Sequence, residues 1–397
     1  MPRIEPRGPQ SAAEAVDLSA TSTEVLVAGV EAIDEIVAKA TRLHPGLARL
    51  ARFEDDLARR LWAEWKRVAP GAFAAGLKAL PRDDKPITVG DLNRLDRALA
   101  REVRARFSPG ASKVVADLGP RMYRLAREIG INRAAGDDRP LTYRGEGTTP
   151  ILKARITSVE PVFGAVDEAA LEGIESYGSI WAGDLYDEEL SAAIRQSVRE
   201  NMIEQGIGRR EAGTMLQDNL RTAVGLNPTE IAPASFLVSP RKLASYFTGL
   251  AANTATVARV TGEINSFAEY GVTAYQITAI VDERTTEQCL VMNGKTFTVE
   301  EGARQAARTA KAYVAADSAD ELREILGRIH PWPNGTENSP ANFAGWFESQ
   351  AGFKPPAPGT DFTPAQRAAA SRAGFALPPY HWRCRTTVDI APGAELI

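Results

Sequence analysis

"SPRKLASYFTGLAANTATVARVTGEINSFAEYG", residues 239–271, runs directly into "VTAYQITAIV", residues 272–281. The period of the apolar residues changes between the two. In the first, Leu243, Phe247, Leu250, Val257, Val260, Ile264 and Phe267 recur at helical spacing. Ser239 suits an N-cap, Pro240 a first turn, and Gly271 a helix end. In the second, Tyr275, Ile277, Ala279 and Val281 alternate as in a strand with one buried face. The spacing predicts one long helix over 239–270 that leads into a strand at 273–281.

Downstream the signals stay mixed. "MNGKTF" holds an Asn-Gly turn of hairpin type. Helix starts are expected at Thr298 with Glu301, Ser318 with Glu321, Ser339-Pro340 and Thr363-Pro364. "CRTTVDI" reads as a closing strand. Residues 272–397 are therefore expected to form an α+β domain with a small sheet.

Upstream the chain is helical by pattern. A capping box, Thr21 and Glu24, opens a helix with Leu26, Val30, Ile33 and Val37 on one stripe. A second stripe runs through Leu50, Phe53, Leu57 and Leu61, extended by Trp62, Trp65 and Val68. A third carries Leu92, Leu95, Leu99 and Val103, with arginines around it. From 134 the pattern breaks into a Gly/Asp/Pro-rich stretch, with a strand candidate in "ILKARITSVEPVF". Helices resume at Asp187, with Leu190, Ile194, Val198 and Met202 on one face. The expected order is a disordered arm (1–22), a helical domain (23–133), a loop-rich connection (134–184), a helical region (185–271) and the α+β domain. The fold class is α+β, predominantly helical.

Composition narrows the function classes. The 397 residues are 44% hydrophobic and 25% charged, as in an ordinary globular chain. No apolar run reaches the ~20 residues of a membrane span. The first residues lack an apolar signal core, so a cytoplasmic protein is expected. Two cysteines exclude a disulfide framework. A net charge of −4 argues against a protein that coats nucleic acid. Residues 91–133 nonetheless hold ten Lys/Arg against five Asp/Glu, including Arg94, Arg97, Arg101, Arg104 and Arg106. Such a block can contact DNA or a partner, although a solvated helix face is the commoner explanation.

Two segments exceed the needs of packing: "IVDERTTEQCLVMNGKTF" and "PPYHWRCRT". Together they resemble the C-terminal domain of the phage Mu F-like minor head proteins, the head morphogenesis family. That pattern is a long helix and a strand, then Asp-x-Arg-Thr-Cys-x-x-Cys and a Gly-containing turn, closing with Pro-Pro-x-His-x-x-Cys-Arg-Cys. Asp282, Arg284, Thr285, Cys289, Gly294, Pro378, Pro379, His381, Cys384 and Arg385 match it. Thr286 and Thr386 stand where the outer two cysteines would be. The resemblance covers roughly residues 185–390.

It implies a phage or prophage minor capsid protein that acts at the portal vertex in capsid assembly and in DNA packaging or ejection. Its partners would be the portal protein and the major capsid or scaffolding protein, with viral DNA as a further one and no membrane. It would sit in the virion head, and in the host cytoplasm during assembly. The alternative is a toxin or enzyme that carries such a domain for packaging. Against it, residues 1–180 lack a Walker loop, a Gly-x-Ser-x-Gly elbow and a His-Glu-x-x-His helix. No catalytic residue is expected.

The same motif bears on metal binding. Cys-x-x-Cys with His-x-x-Cys would supply four soft ligands for tetrahedral zinc. This chain keeps Cys289, His381 and Cys384, with Asp282 as an oxygen donor. The loss of the outer cysteines favours small buried thiols that knit two segments together, so no cofactor is expected. If zinc is held, those three residues are its ligands. "PPYHWRCRT" is expected to pack as a strand beside "DERTTEQC", bringing Cys384 near Cys289 and giving Arg385 a partner in Asp282 or Glu283.

Overall fold

The computed structural model describes residues 45–79, 88–135, 163–183, 240–279, 285–330, 340–381 and 383–395. The expected arm, the Thr21 helix, the strand candidate at 151–162 and the helix from Asp187 lie outside the described residues, as do Asp282, Glu283 and Arg284.

Nine helices and three strands make up the described chain. They are α1 (Pro45–Leu77), α2 (Val89–Ala134), α3 (Ala165–Gly183), α4 (Pro240–Glu269), β1 (Ala274–Thr278), α5 (Glu287–Met292), β2 (Thr296–Thr298), α6 (Val299–Ala315), α7 (Ala319–Ile329), α8 (Pro340–Ala351), α9 (Pro364–Arg372) and β3 (Thr387–Ile390). This is the predominantly helical α+β fold expected. None of these helices is long and apolar enough to cross a membrane.

The helix starts follow local chemistry. Thr88 with Asp91, Thr298 with Glu301 and Thr363 with Gln366 form reciprocal capping boxes. Helix α2 runs well past the stripe read as far as Val103, through Pro109 and Pro120. Each proline removes an intrahelical hydrogen bond. Phe107, Ala111, Val115, Leu118 and Met122, fully buried at spacings of three and four, hold the helix together against that loss. The stretch 134–184 is not purely a connection, because α3 occupies its second half. Tyr177 and Trp181 of α3 are buried in the helical core.

Two cores meet at α4. Its first half packs Phe247, Leu250 and Ala251 against α1, α2 and α3. There the Phe107 and Phe247 rings meet at a tilt with centroids 5.7 Å apart, and Trp65 meets Phe107 edge-on at 5.5 Å. Each such buried aromatic stabilises the fold by ~2–3 kcal/mol. Its second half packs Val260, Ile264 and Phe267 against the sheet, with Phe343, Phe347, Phe362 and Phe375. The helical core also takes in Tyr313 of α6 and Leu322 and Leu326 of α7. The expected division at 271/272 therefore does not separate the cores.

Helix α4 lies close to α2. A Cβ on Gly262 would stand 2.7 Å from the Ala126 Cβ and 3.1 Å from the Tyr123 carbonyl oxygen. Only glycine permits that approach.

The sheet has the order β2-β1-β3, antiparallel throughout. Tyr275 pairs with Phe297 on one side and Ile390 on the other, and Ile277 pairs with Val388. Tyr275 and Ile277 are buried, as their alternation requires. The Asn-Gly turn departs from the hairpin expected. Asn293 has φ −60° and ψ 128°, and Gly294 has φ 78°, which is type II geometry joining α5 to β2. The Gly294 N–H donates to the Ile277 carbonyl at 2.7 Å, which docks the turn on β1.

Candidate functional site

The two segments that carry the motif converge. Cys289 lies in the first turn of α5, a short helix. Thr286 is its N-cap, accepting from the Cys289 N–H at 3.5 Å. The residue that replaces a motif cysteine thus has a structural role of its own. Thr285 precedes the cap and is half-buried.

His381 and Cys384 sit on one tight turn, closed by a hydrogen bond from the Cys384 N–H to the His381 carbonyl at 3.2 Å. Arg383 within it has φ 64°, the left-handed region. That conformation costs a non-glycine residue ~1–2 kcal/mol, so surrounding contacts hold the turn. The extended backbone expected for "PPYHWRCRT" is confined to Thr387–Ile390, three residues beyond Cys384.

The turn aims both side chains at Cys289. The two sulfurs are 3.8 Å apart, and the His381 Nε2 lies 3.0 Å from the Cys289 Sγ. All three donor atoms fall within 4.8 Å of one another. Both cysteines are buried free thiols, while His381 is partly exposed. Hydrogen bonding to Cys384, then burial, push the Cys289 thiol well above its usual range. Burial acts to raise Cys384 too, but hydrogen bonds with Cys289 and His381 outweigh it and hold Cys384 well below.

A polar stripe on α4 positions this turn. Thr256 Oγ1 donates to the Cys384 carbonyl at 2.6 Å. Arg259 Nη2 donates to the Arg385 carbonyl at 2.8 Å and the Thr386 carbonyl at 3.1 Å. Glu263 accepts from the Thr387 hydroxyl at 3.0 Å. From α2, Arg133 donates to the Val388 carbonyl at 3.0 Å. The carbonyls of 384, 385, 386 and 388 are thus each satisfied by a side chain from the helices.

Behind the turn, His330 Nε2 donates to the Pro379 carbonyl at 2.9 Å, and its Nδ1 accepts from Gln305 at 2.6 Å. Burial keeps His330 neutral by lowering its pKa. Gln305 also bonds Gly374 and Ala376, so one amide and one imidazole fix the approach to Pro378-Pro379, whose peptide bond is cis.

The sequence reading missed Thr256, Arg259, Glu263 and His330. The signal for the first three was present: polar residues at spacings of three and four inside an otherwise apolar helix.

Arg385 lies within electrostatic reach of Glu54 on α1, together with Arg259 and Arg383. Its expected partners Asp282 and Glu283 lie outside the described residues. The arginine stripe of α2 is exposed and largely engaged within its own helix. Arg94 pairs with Asp91, Arg97 bonds the Asn93 carbonyl, and Arg101 and Arg106 both reach Glu102. Arg104 also has a partner.

Comparison with models of known protein families, with curated proteins and with solved structures found no match to the chain.

Proposed function

We propose that the chain is a minor head protein of a tailed phage or prophage, acting through contacts rather than catalysis. The observation that carries this reading is the convergence of the two motif segments on one buried cluster, 95 residues apart in sequence. Motif order supports it as well: long helix, strand, Cys289, Gly294 turn, then Pro-Pro-x-His-x-x-Cys-Arg. On this reading the motif residues of the segment anchor β3 to α4 and α5, and the exposed helical surface is left for the portal and capsid partners.

The test is co-expression with a tailed-phage portal protein. A complex surviving size-exclusion chromatography, and presence of the chain in purified heads, are the expected results. Absence from heads, or an enzymatic turnover abolished by His381→Ala in a variant that stays folded, would overturn the reading.

A further inference from the structure

The Cys-His-Cys cluster has a geometry that hydrogen bonding alone does not require. We propose that Cys289, His381 and Cys384 ligate one zinc ion through Sγ, Nε2 and Sγ, contrary to the cofactor-free reading of the sequence.

The sulfur separation is the first observation. A disulfide needs ~2.05 Å between sulfurs, so 3.8 Å is no bond. Two thiolates on one zinc at ~2.3 Å each, with tetrahedral angles, stand ~3.8 Å apart. The spacing is the edge of that tetrahedron. The imidazole nitrogen, at 3.0 Å from the Cys289 sulfur, is roughly half an ångström inside the ~3.6 Å edge expected for a bound pair. A small tilt of the partly exposed ring supplies the difference.

Charge is the second. Two thiolates and a neutral imidazole cancel the charge of a divalent ion, which suits a site whose sulfurs are almost wholly buried. Two sulfurs and one nitrogen are soft donors, and among the described residues no carboxylate joins the group. That donor set selects zinc over magnesium, calcium or manganese.

The third is an orphaned oxygen. The Thr386 hydroxyl is buried, and no atom of the described residues completes a hydrogen bond to it. Three protein ligands leave one tetrahedral corner, and Thr386 stands at the motif position of the fourth donor. A water on the ion would give the hydroxyl its missing partner.

The left-handed Arg383 and the helix-held carbonyls of 384–386 then have a common purpose. They fix the His-x-x-Cys turn in the shape that presents Nε2 and Sγ to one point. Zinc would bind the closing strand to α5 as a structural clamp.

The experiment uses the full chain, expressed in zinc-supplemented medium and purified under reducing conditions without chelator. Elemental analysis is expected to give near one zinc per chain, and near none in Cys289→Ser and Cys384→Ser. Should those variants fail to fold, the wild type still decides. Cobalt exchanged into it is expected to show thiolate-to-metal charge-transfer absorption, and a strong chelator should lower its melting temperature. Thr386→Cys adds a third thiolate at the open corner and is expected to retain zinc against a chelator about tenfold better or more. Zinc-free protein that takes up no cobalt would sink the proposal. So would zinc whose content is unchanged in both serine variants, or a Cys289–Cys384 disulfide in freshly reduced protein. Unchanged retention in Thr386→Cys would remove Thr386 from the fourth corner.

Discussion

Replacing Arg133 with Met tests whether the helices and the closing strand are one cooperative unit. Arg133 and Glu263 are both buried, with Nη1 and Oε1 3.4 Å apart. Arg133 also donates to the Val388 carbonyl of β3. Methionine keeps much of the volume but removes the charge and that hydrogen bond. Removing one partner of a buried ion pair typically costs ~3–5 kcal/mol, because the other charge stays buried. Here Arg259 still acts on Glu263, which places the expected loss near the lower end, ~3 kcal/mol.

Urea unfolding followed by tryptophan fluorescence and far-ultraviolet circular dichroism measures the loss. Trp62, Trp65 and Trp181 report on the helical core. The two signals are expected to shift together, since α4 serves both cores. Adding Glu263→Gln should recover at least ~1 kcal/mol relative to additivity, the usual range for coupled neighbours.

The loss also depends on pH. Burial raises the Glu263 carboxyl, and Arg133 opposes that rise. Without Arg133 the folded state keeps its proton to higher pH than the unfolded chain, whose carboxyl titrates near 4.5. The Arg133→Met deficit is therefore smallest below that value and grows as pH rises above it. A deficit under ~1 kcal/mol at neutral pH, strict additivity with Glu263→Gln, or separate transitions for the two signals would refute the reasoning.

Other substitutions probe single features. Gly262→Ala should destabilise by ~1–3 kcal/mol despite alanine's better helix propensity, because its methyl meets the α2 backbone; chemical denaturation reads the sign. Glu54 is raised to about 7, mainly by burial, so wild-type stability should fall as pH rises from 4.5 through about 7. Glu54→Gln should flatten that fall by ~1–3 kcal/mol in melts across pH, the partly exposed position limiting the effect. His330 is lowered by burial, so it contributes stability that is lost as pH drops below 6.5. The acid slope of the melting temperature should be shallower in His330→Gln, and an unchanged slope would remove His330 from that role.

Elements governed by local chemistry were legible in the sequence. The long helix over Pro240–Glu269, the strand at Ala274–Thr278 and the starts at Thr298, Ser318 and Thr363 follow from caps and apolar periods within a few residues. What was not legible depends on tertiary packing. "RARFSPGAS" looks locally like a helix end, yet α2 continues because Phe107 and Ala111 are buried on either side of Pro109. Helix α3 lacked an outward sign, since Leu171, Ile174 and Tyr177 become an apolar face only against α2 and α6. The one-sided stripe read for α4 was too narrow. Asn253, Thr254, Thr256, Arg259, Glu263, Asn265 and Ser266 are buried as well.

The site shows the same division. Cys289, His381 and Cys384 stood out because rare residue types recur at ligand spacing, and their meeting could be expected from two edges that each need a partner. The distance between the sulfurs could not, because it depends on a turn that Arg383 adopts against its own preference. Nor could the meaning of two threonines. By residue type Thr286 and Thr386 are equivalent losses from a cysteine motif, and both counted against a metal. In the fold they differ. Thr286 is used up as the cap of α5, whereas Thr386 leaves a buried hydroxyl unsatisfied. A substitution that merely dismantled a metal site would leave a filled or apolar corner. A buried hydroxyl without a partner, at the motif position of the lost cysteine two residues beyond Cys384, is instead what a three-ligand site with one exchangeable corner needs, so the second threonine argues for the ion that its residue type counted against.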